Sequence, residues 1–160
     1  MKKVTKSDNI SLKSTVANGF GRIDYQDIYT IALQTDKMAD EISKERIVMP
    51  EWVKVLMILR NRIVGVFGLK TDRNTPKSET FFTVIENLED EIIMGADDKH
   101  LNFRASILKD SSEETLSLIT VVHYNNIWGK VYFFPVKPFH KIIMRGLLKR
   151  YLGQMFKQSK

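Results

Sequence analysis

The densest gathering of reactive side-chain types lies in Asp97-Asp98-Lys99-His100-Leu101-Asn102-Phe103-Arg104, which sets carboxylates, an imidazole and a guanidinium at a turn and along the strand leaving it. Under the period of two that pleating imposes, His100, Asn102, Arg104 and Ser106 face one way and Leu101, Phe103, Ala105 and Ile107 the other. On such a face His100 and Arg104 suit anion binding, or the roles of base and electrophile. The same alternation also suits a half-solvated strand, with Asp98 closing a turn and Arg104 paired to a carboxylate on the solvent side. Two further histidines stand apart in the chain, His123 in an apolar strand and His140 at the start of the last helix. A histidine lining a cavity titrates near neutrality and suits proton transfer, whereas a hydrogen-bonded core histidine has only a packing role.

Other chemistries lack their residues. Cysteine is absent, which removes disulfides, thiolate nucleophiles and thiolate metal sites and suits a reducing compartment. No H-x-x-x-H spacing supports a zinc or iron site, so neither metal nor cofactor is expected. Phosphate loops of the G-x-x-x-x-G-K type, dinucleotide fingerprints and G-x-S-x-G elbows are missing as well. The aromatics Trp128, Tyr132, Phe133, Phe134 and Phe139 lie among basic residues, but their helical spacing assigns them to core packing and no nucleic-acid partner is expected.

The net charge of +6 is unevenly spread. After Glu114 the chain has no acidic residue, while Lys130, Lys137, Lys141, Arg145, Lys149, Arg150, Lys157 and Lys160 follow. A cationic outer face keeps a terminal helix solvated, and it also suits an anionic membrane surface or an acidic partner. Met1 to Ser14 has no apolar run of the signal-peptide kind and no stretch is long enough to span a bilayer, so the expected location is cytoplasmic.

The elements that must position these residues follow from period and punctuation. Residues 1–22 are polar and read as an arm, and 23–160 as one domain. Ile23 to Leu33 reads as a strand, and Asp36 opens a short helix toward Arg46. Pro50 starts a longer helix with Trp52, Leu56, Leu59, Ile63, Val66 and Phe67 at helical spacing. Four strands follow, Thr80 to Asn87, Glu91 to Ala96, His100 to Lys109 and Glu114 to Tyr124, with polar turns short enough to imply antiparallel pairing. Pro135 and Pro138 should break any helix begun near Ile127, leaving a main helix from Pro138 to Phe156. Its apolar side, Phe139, Ile142, Ile143, Leu147, Tyr151, Leu152, Met155 and Phe156, is expected on the sheet, with Lys141, Arg145 and Lys149 outward.

Four segments in order carry a resemblance: Trp52 to Lys70, D-D-K-H-L-N-F-R-A-S from Asp97, T-V-V-H-Y-N-N from Thr120, and G-K-V-Y-F-F-P-V-K-P-F-H ending at His140. Together they resemble an uncharacterised bacterial family, catalogued as a domain of unknown function, that looks like a member of the START-like, or polyketide cyclase-like, helix-grip superfamily. The resemblance implies an α+β fold in which a bent antiparallel sheet wraps a long C-terminal helix, with a cavity between them for a small apolar or amphipathic molecule. Members also occur fused behind a short-chain-dehydrogenase-like domain, which implies a functional link to such a protein. Superfamily sheets have six or seven strands, so a further strand is expected after Leu69 or within residues 4–16. The family passes on no catalytic residues, and only Arg60, Asp98, His100, Arg104, His123, Tyr132 and His140 match its motifs as candidate ligand-binding positions. Three functions stay open: a ligand-binding domain, a cyclase- or hydratase-type enzyme with a cavity histidine as general base, and membrane-surface or partner binding through the basic helix.

Overall fold

The alternating β-branched and aromatic residues of the chain build a six-stranded antiparallel sheet. The computed structural model describes residues 4–7, 14–33, 39–44, 83–97 and 99–158. In chain order these form β1 (Thr5–Ser7), β2 (Tyr25–Ala32), α1 (Ala39–Lys44), β3 (Thr83–Asn87), β4 (Glu91–Asp97), β5 (Leu101–Asp110), β6 (Thr115–Tyr124) and α2 (Ile127–Gln158). All belong to one compact unit made from residues 1–45 and 82–160. The helix expected from Pro50, with Arg60 on it, and the turn residue Asp98 lie outside the described residues.

The strand order is β1-β2-β6-β5-β4-β3, so β3 to β6 form the expected meander and β2 joins it beside β6. The sixth strand, β1, falls within residues 4–16 and pairs with β2 from Thr5↔Thr30 to Ser7↔Ile28. The β5–β6 turn closes because the Asp110 carboxylate accepts the Ser112 and Glu113 amides at 3.0 and 3.2 Å. The chain is α+β, and a single sheet under one long C-terminal helix is compatible with a helix-grip arrangement.

Register divides the sheet into two faces. Tyr25, Asp27, Tyr29 and Ile31 of β2 pair with Val122, Thr120, Leu118 and Leu116 of β6, which pair in turn with Phe103, Ala105, Ile107 and Lys109 of β5. This face meets α2, which packs across β2 and β6, and Tyr25 and Val122 cluster there with Phe133. The opposite face carries Ile28, Ile93, Leu108, Ile119 and Val121, covered by Val16, Phe20 and Ile23 from the segment before β2. Each fully buried aliphatic side chain in these layers contributes about 2 kcal/mol.

The helix departs from expectation in two ways. It runs unbroken through Pro135 and Pro138. The carbonyls that these prolines deprive of an intrahelical donor belong to Val131 and Phe134, both on the exposed side, where water can replace the lost bonds. The buried stripe is consequently set by Phe133, Met144, Leu148 and Tyr151 rather than by Phe139 and Ile142, which are exposed. A helix that begins at Ile127 commits its first turns to the sheet before Pro138, and Phe133 fixes the phase of everything after it.

Candidate functional site

The buried polar residues of the sheet are Asp27, Glu91, Ser106 and Thr120. Asp27 is the third residue of β2, on the same face as Tyr25, Tyr29 and Ile31, so pleating forces its carboxylate under α2. Its Oδ2 accepts the Tyr25 hydroxyl proton at 2.6 Å. Its Oδ1 has no hydrogen-bond partner although the residue is 0 % exposed. His140 of α2 faces it, with Nε2 3.4 Å from Oδ1 and 3.1 Å from the Thr120 hydroxyl. A contact of 3.4 Å is too long for a good hydrogen bond, so the two groups face each other without closing. Burial, followed by the hydrogen bond and charge of Asp27, pushes the Tyr25 phenol far above its ordinary range, so Tyr25 remains a donor. Lys137 of α2 lies over the Tyr25 ring at 4.9 Å and the Arg145 guanidinium over the Tyr29 ring at 5.5 Å. Two cations of the basic helix therefore reach back over the tyrosines that flank Asp27.

Next to this cluster the helix-side face turns apolar. Ala105 pairs with Thr120 and Met94 pairs with Ala105, while Phe103 pairs with Val122. Met94, Phe103 and Ala105 are half-buried and form an apolar strip on β4 and β5, the strands that α1 contacts, with Phe103 packed against the Tyr25, Val122 and Phe133 cluster under α2. Thr120 thus connects a polar corner, His140 and Asp27, to an apolar wall.

The other predicted residues go elsewhere. His100 Nδ1 lies 3.0 Å from Asn126 Oδ1, and that oxygen accepts the Trp128 and Gly129 amides at 3.0 and 3.2 Å. Asn126 is therefore the N-cap of α2, and His100 braces it. Gly129 is required beneath them, because a Cβ there would overlap the His100 carbonyl. Arg104 forks onto Asp97 at 2.6 and 2.9 Å, the solvent-side ion pair that strand alternation allows, and lies over the Phe20 ring at 5.3 Å. Gly95 is required beside that side chain, because a Cβ there would overlap the Phe103 carbonyl and crowd Arg104 Cδ at 2.9 Å. His123 Nδ1 lies 3.1 Å from Asp24 Oδ2 as a charge contact without a hydrogen bond, while that oxygen accepts the Tyr124 amide at 2.8 Å and an Arg22 N–H at 3.2 Å. Desolvation raises the Asp24 pKa, but the Tyr124 amide, Arg22 and His123 outweigh it and hold the carboxyl below its usual range. Tyr132 is a half-buried residue of α2. The three histidines therefore do not converge: His100 serves the cap, His123 joins Asp24, and His140 reaches the buried carboxylate. Among the described residues no group of three or more His, Asp or Glu side chains is placed to hold a metal ion.

Asp27, Tyr25 and Thr120 were not among the candidates read from sequence. The available signal was a carboxylate at an odd position of Tyr25 to Leu33, where the odd positions are otherwise Tyr, Tyr, Ile and Leu. No curated protein matches the chain, and no solved structure does. A family model described as a protein of unknown function, DUF2867, matches residues 20–147, which take in the whole sheet from β2 to β6, Asp27 and His140. The chain belongs to the DUF2867 family of proteins of unknown function.

Proposed function

We propose that this protein is a START-like helix-grip domain that binds a small apolar or amphipathic molecule on the helix-side face of its sheet. In this reading Met94, Phe103 and Ala105 contact the apolar body of the ligand, and His140, held from behind by Thr120 and Asp27, meets its polar end. The observation that carries it is the Asp27 carboxylate, buried with one oxygen unmatched opposite His140. An orphaned buried acceptor costs about 1–3 kcal/mol, and such a cost is commonly tolerated where a site serves function. The test is native mass spectrometry of the purified protein beside Ala105→Trp, which fills the strip, and His140→Ala. A co-purified small molecule retained by the wild type and lost from A105W is expected. A wild type without adduct, together with equal uptake of an anilinonaphthalene sulfonate dye by both proteins, would overturn the reading.

A second reading, a cyclase- or hydratase-type enzyme, is favoured by one feature of the same corner. A carboxylate behind an imidazole orients the ring, which is what a histidine acting as general base requires. The base in that case is His140, the histidine that faces the buried carboxylate, while His100 braces the N-cap. Ring resonances of His140 that move on ligand addition in the wild type, but not in Asp27→Asn, are expected of an enzyme. Identical shifts in both proteins would leave binding alone.

A further inference from the structure

The helix α2 is apolar on two sides. Opposite the stripe of Phe133, Met144, Leu148 and Tyr151, its first half presents Ile127, Trp128, Val131, Phe134 and Ile142, with relative exposures of 63, 54, 49, 80 and 58 %. At 100° per residue these side chains share one side of the helix with Pro135 and Pro138, and over fifteen residues they extend for roughly 20 Å. Isolated exposed apolar residues are ordinary on a protein surface, but a contiguous row marks a contact surface. Cations accompany the row, since Lys130 is exposed beside it, Lys149 and Arg150 are exposed beyond it, and no carboxylate occurs after Glu114.

We infer that this face of α2 docks on a bilayer surface containing anionic lipid, with Trp128 and Phe134 entering the headgroup boundary. The combination of large apolar side chains on one side with a flank of lysine and arginine only is the composition that lies flat in such an interface. A second copy of the chain is disfavoured, because pairing two such faces brings together two carboxylate-free, cation-bearing helices. A nucleic acid matches the cations but offers nothing to Ile127, Val131 and Ile142. At the same 100° per residue Lys141, Arg145 and Lys149 lie on the side of this row, so it continues the cationic face that the sequence suggested, and the apolar side chains, not the charge alone, make the contact. No helix among the described residues is long and apolar enough to cross a membrane, so α2 would rest on the bilayer without spanning it.

The test uses vesicles of phosphatidylcholine alone and of phosphatidylcholine mixed with phosphatidylserine, with flotation and tryptophan emission as readouts. Flotation with the mixed vesicles only, together with a blue shift that Trp128→Phe abolishes, is expected. Phe134→Glu should lower partitioning more than tenfold, and Lys130→Gln about fivefold. Phe134 is exposed, so the unfolding midpoint of F134E should match that of the wild type and exclude misfolding as the cause. Equal binding to both vesicle types, no binding to either, or unaltered partitioning of F134E overturns the proposal. So does a monomer–dimer equilibrium, or binding to a DNA duplex, that F134E abolishes while no vesicle is bound.

Discussion

Two carboxylates are buried in this sheet, one under each covering layer, and their partners differ. Glu91, 2 % exposed on the face away from α2, is surrounded by donors. It accepts the Ser14 hydroxyl at 2.6 Å, the Thr15 amide at 2.8 Å, the Thr15 hydroxyl at 3.1 Å and the Ser106 hydroxyl. These bonds fasten the segment before β2 to β4 and β5. Asp27, buried as deeply, has the Tyr25 hydroxyl on one oxygen and none on the other. A buried carboxyl group with every acceptor site matched is a structural clamp, whereas one left partly unmatched beside a histidine has capacity for a further partner. The contrast supports a candidate site on the helix side.

The largest effect expected from this contrast is on the clamp. Glu91→Ala removes every acceptor from Ser14, Thr15 and Ser106 and should lower unfolding free energy by about 3 kcal/mol in urea titrations. A loss below about 1 kcal/mol would erase the distinction between the two faces. Next comes the seat of α2. Asn126→Ala deprives the Trp128 and Gly129 amides of their cap and should cost about 1 kcal/mol, and it should also weaken ligand retention by shifting His140. Asp27→Asn keeps an acceptor for Tyr25 and replaces one carboxyl oxygen with an amide, so it should change stability by less than about 1 kcal/mol, in either direction, while impairing ligand retention. A destabilisation as large as that of E91A would reclassify Asp27 as a second clamp.

The smallest effect is the acid response of the far face. The hydrogen bond from Arg104 holds the Asp97 carboxyl below its usual range, against a smaller opposing cost of burial. Asp24 is likewise depressed. For a depressed carboxyl the contribution to stability is complete above the unfolded pKa, about 4, and is lost as pH falls through the folded value. Asp97 is largely solvated, so Asp97→Asn should remove under about 1 kcal/mol of the acid-sensitive stability, read as a shallower loss of melting temperature below about pH 4. An unchanged acid profile in the D24N/D97N double variant would show that these ion pairs contribute nothing to it.

Local pattern carried the sheet. The alternation in β5, the turn chemistry of Asp110 and the strands through Tyr124 are each specified within a few residues, because pleating and turn geometry are short-range. The antiparallel meander and the α+β class were accordingly legible, and so was the ion-pair role open to Arg104. The prolines misled because a rule for interior helix positions does not say which side of the helix faces water. With Val131 and Phe134 exposed, α2 tolerates both prolines, and its buried stripe shifts from Phe139 and Ile142 to Phe133 and Met144.

Sequence alone determined which residues could carry charge and where the strands run, since composition and period are properties of neighbours along the chain. Only the tertiary structure decided that Asp27, in β2, and His140, in α2, meet across the helix–sheet interface while His100 and His123 are engaged elsewhere. That outcome depends on the register of β2 against β6 and on the rotational phase of a helix more than a hundred residues away. Neither is encoded in the spacing of the residues it brings together.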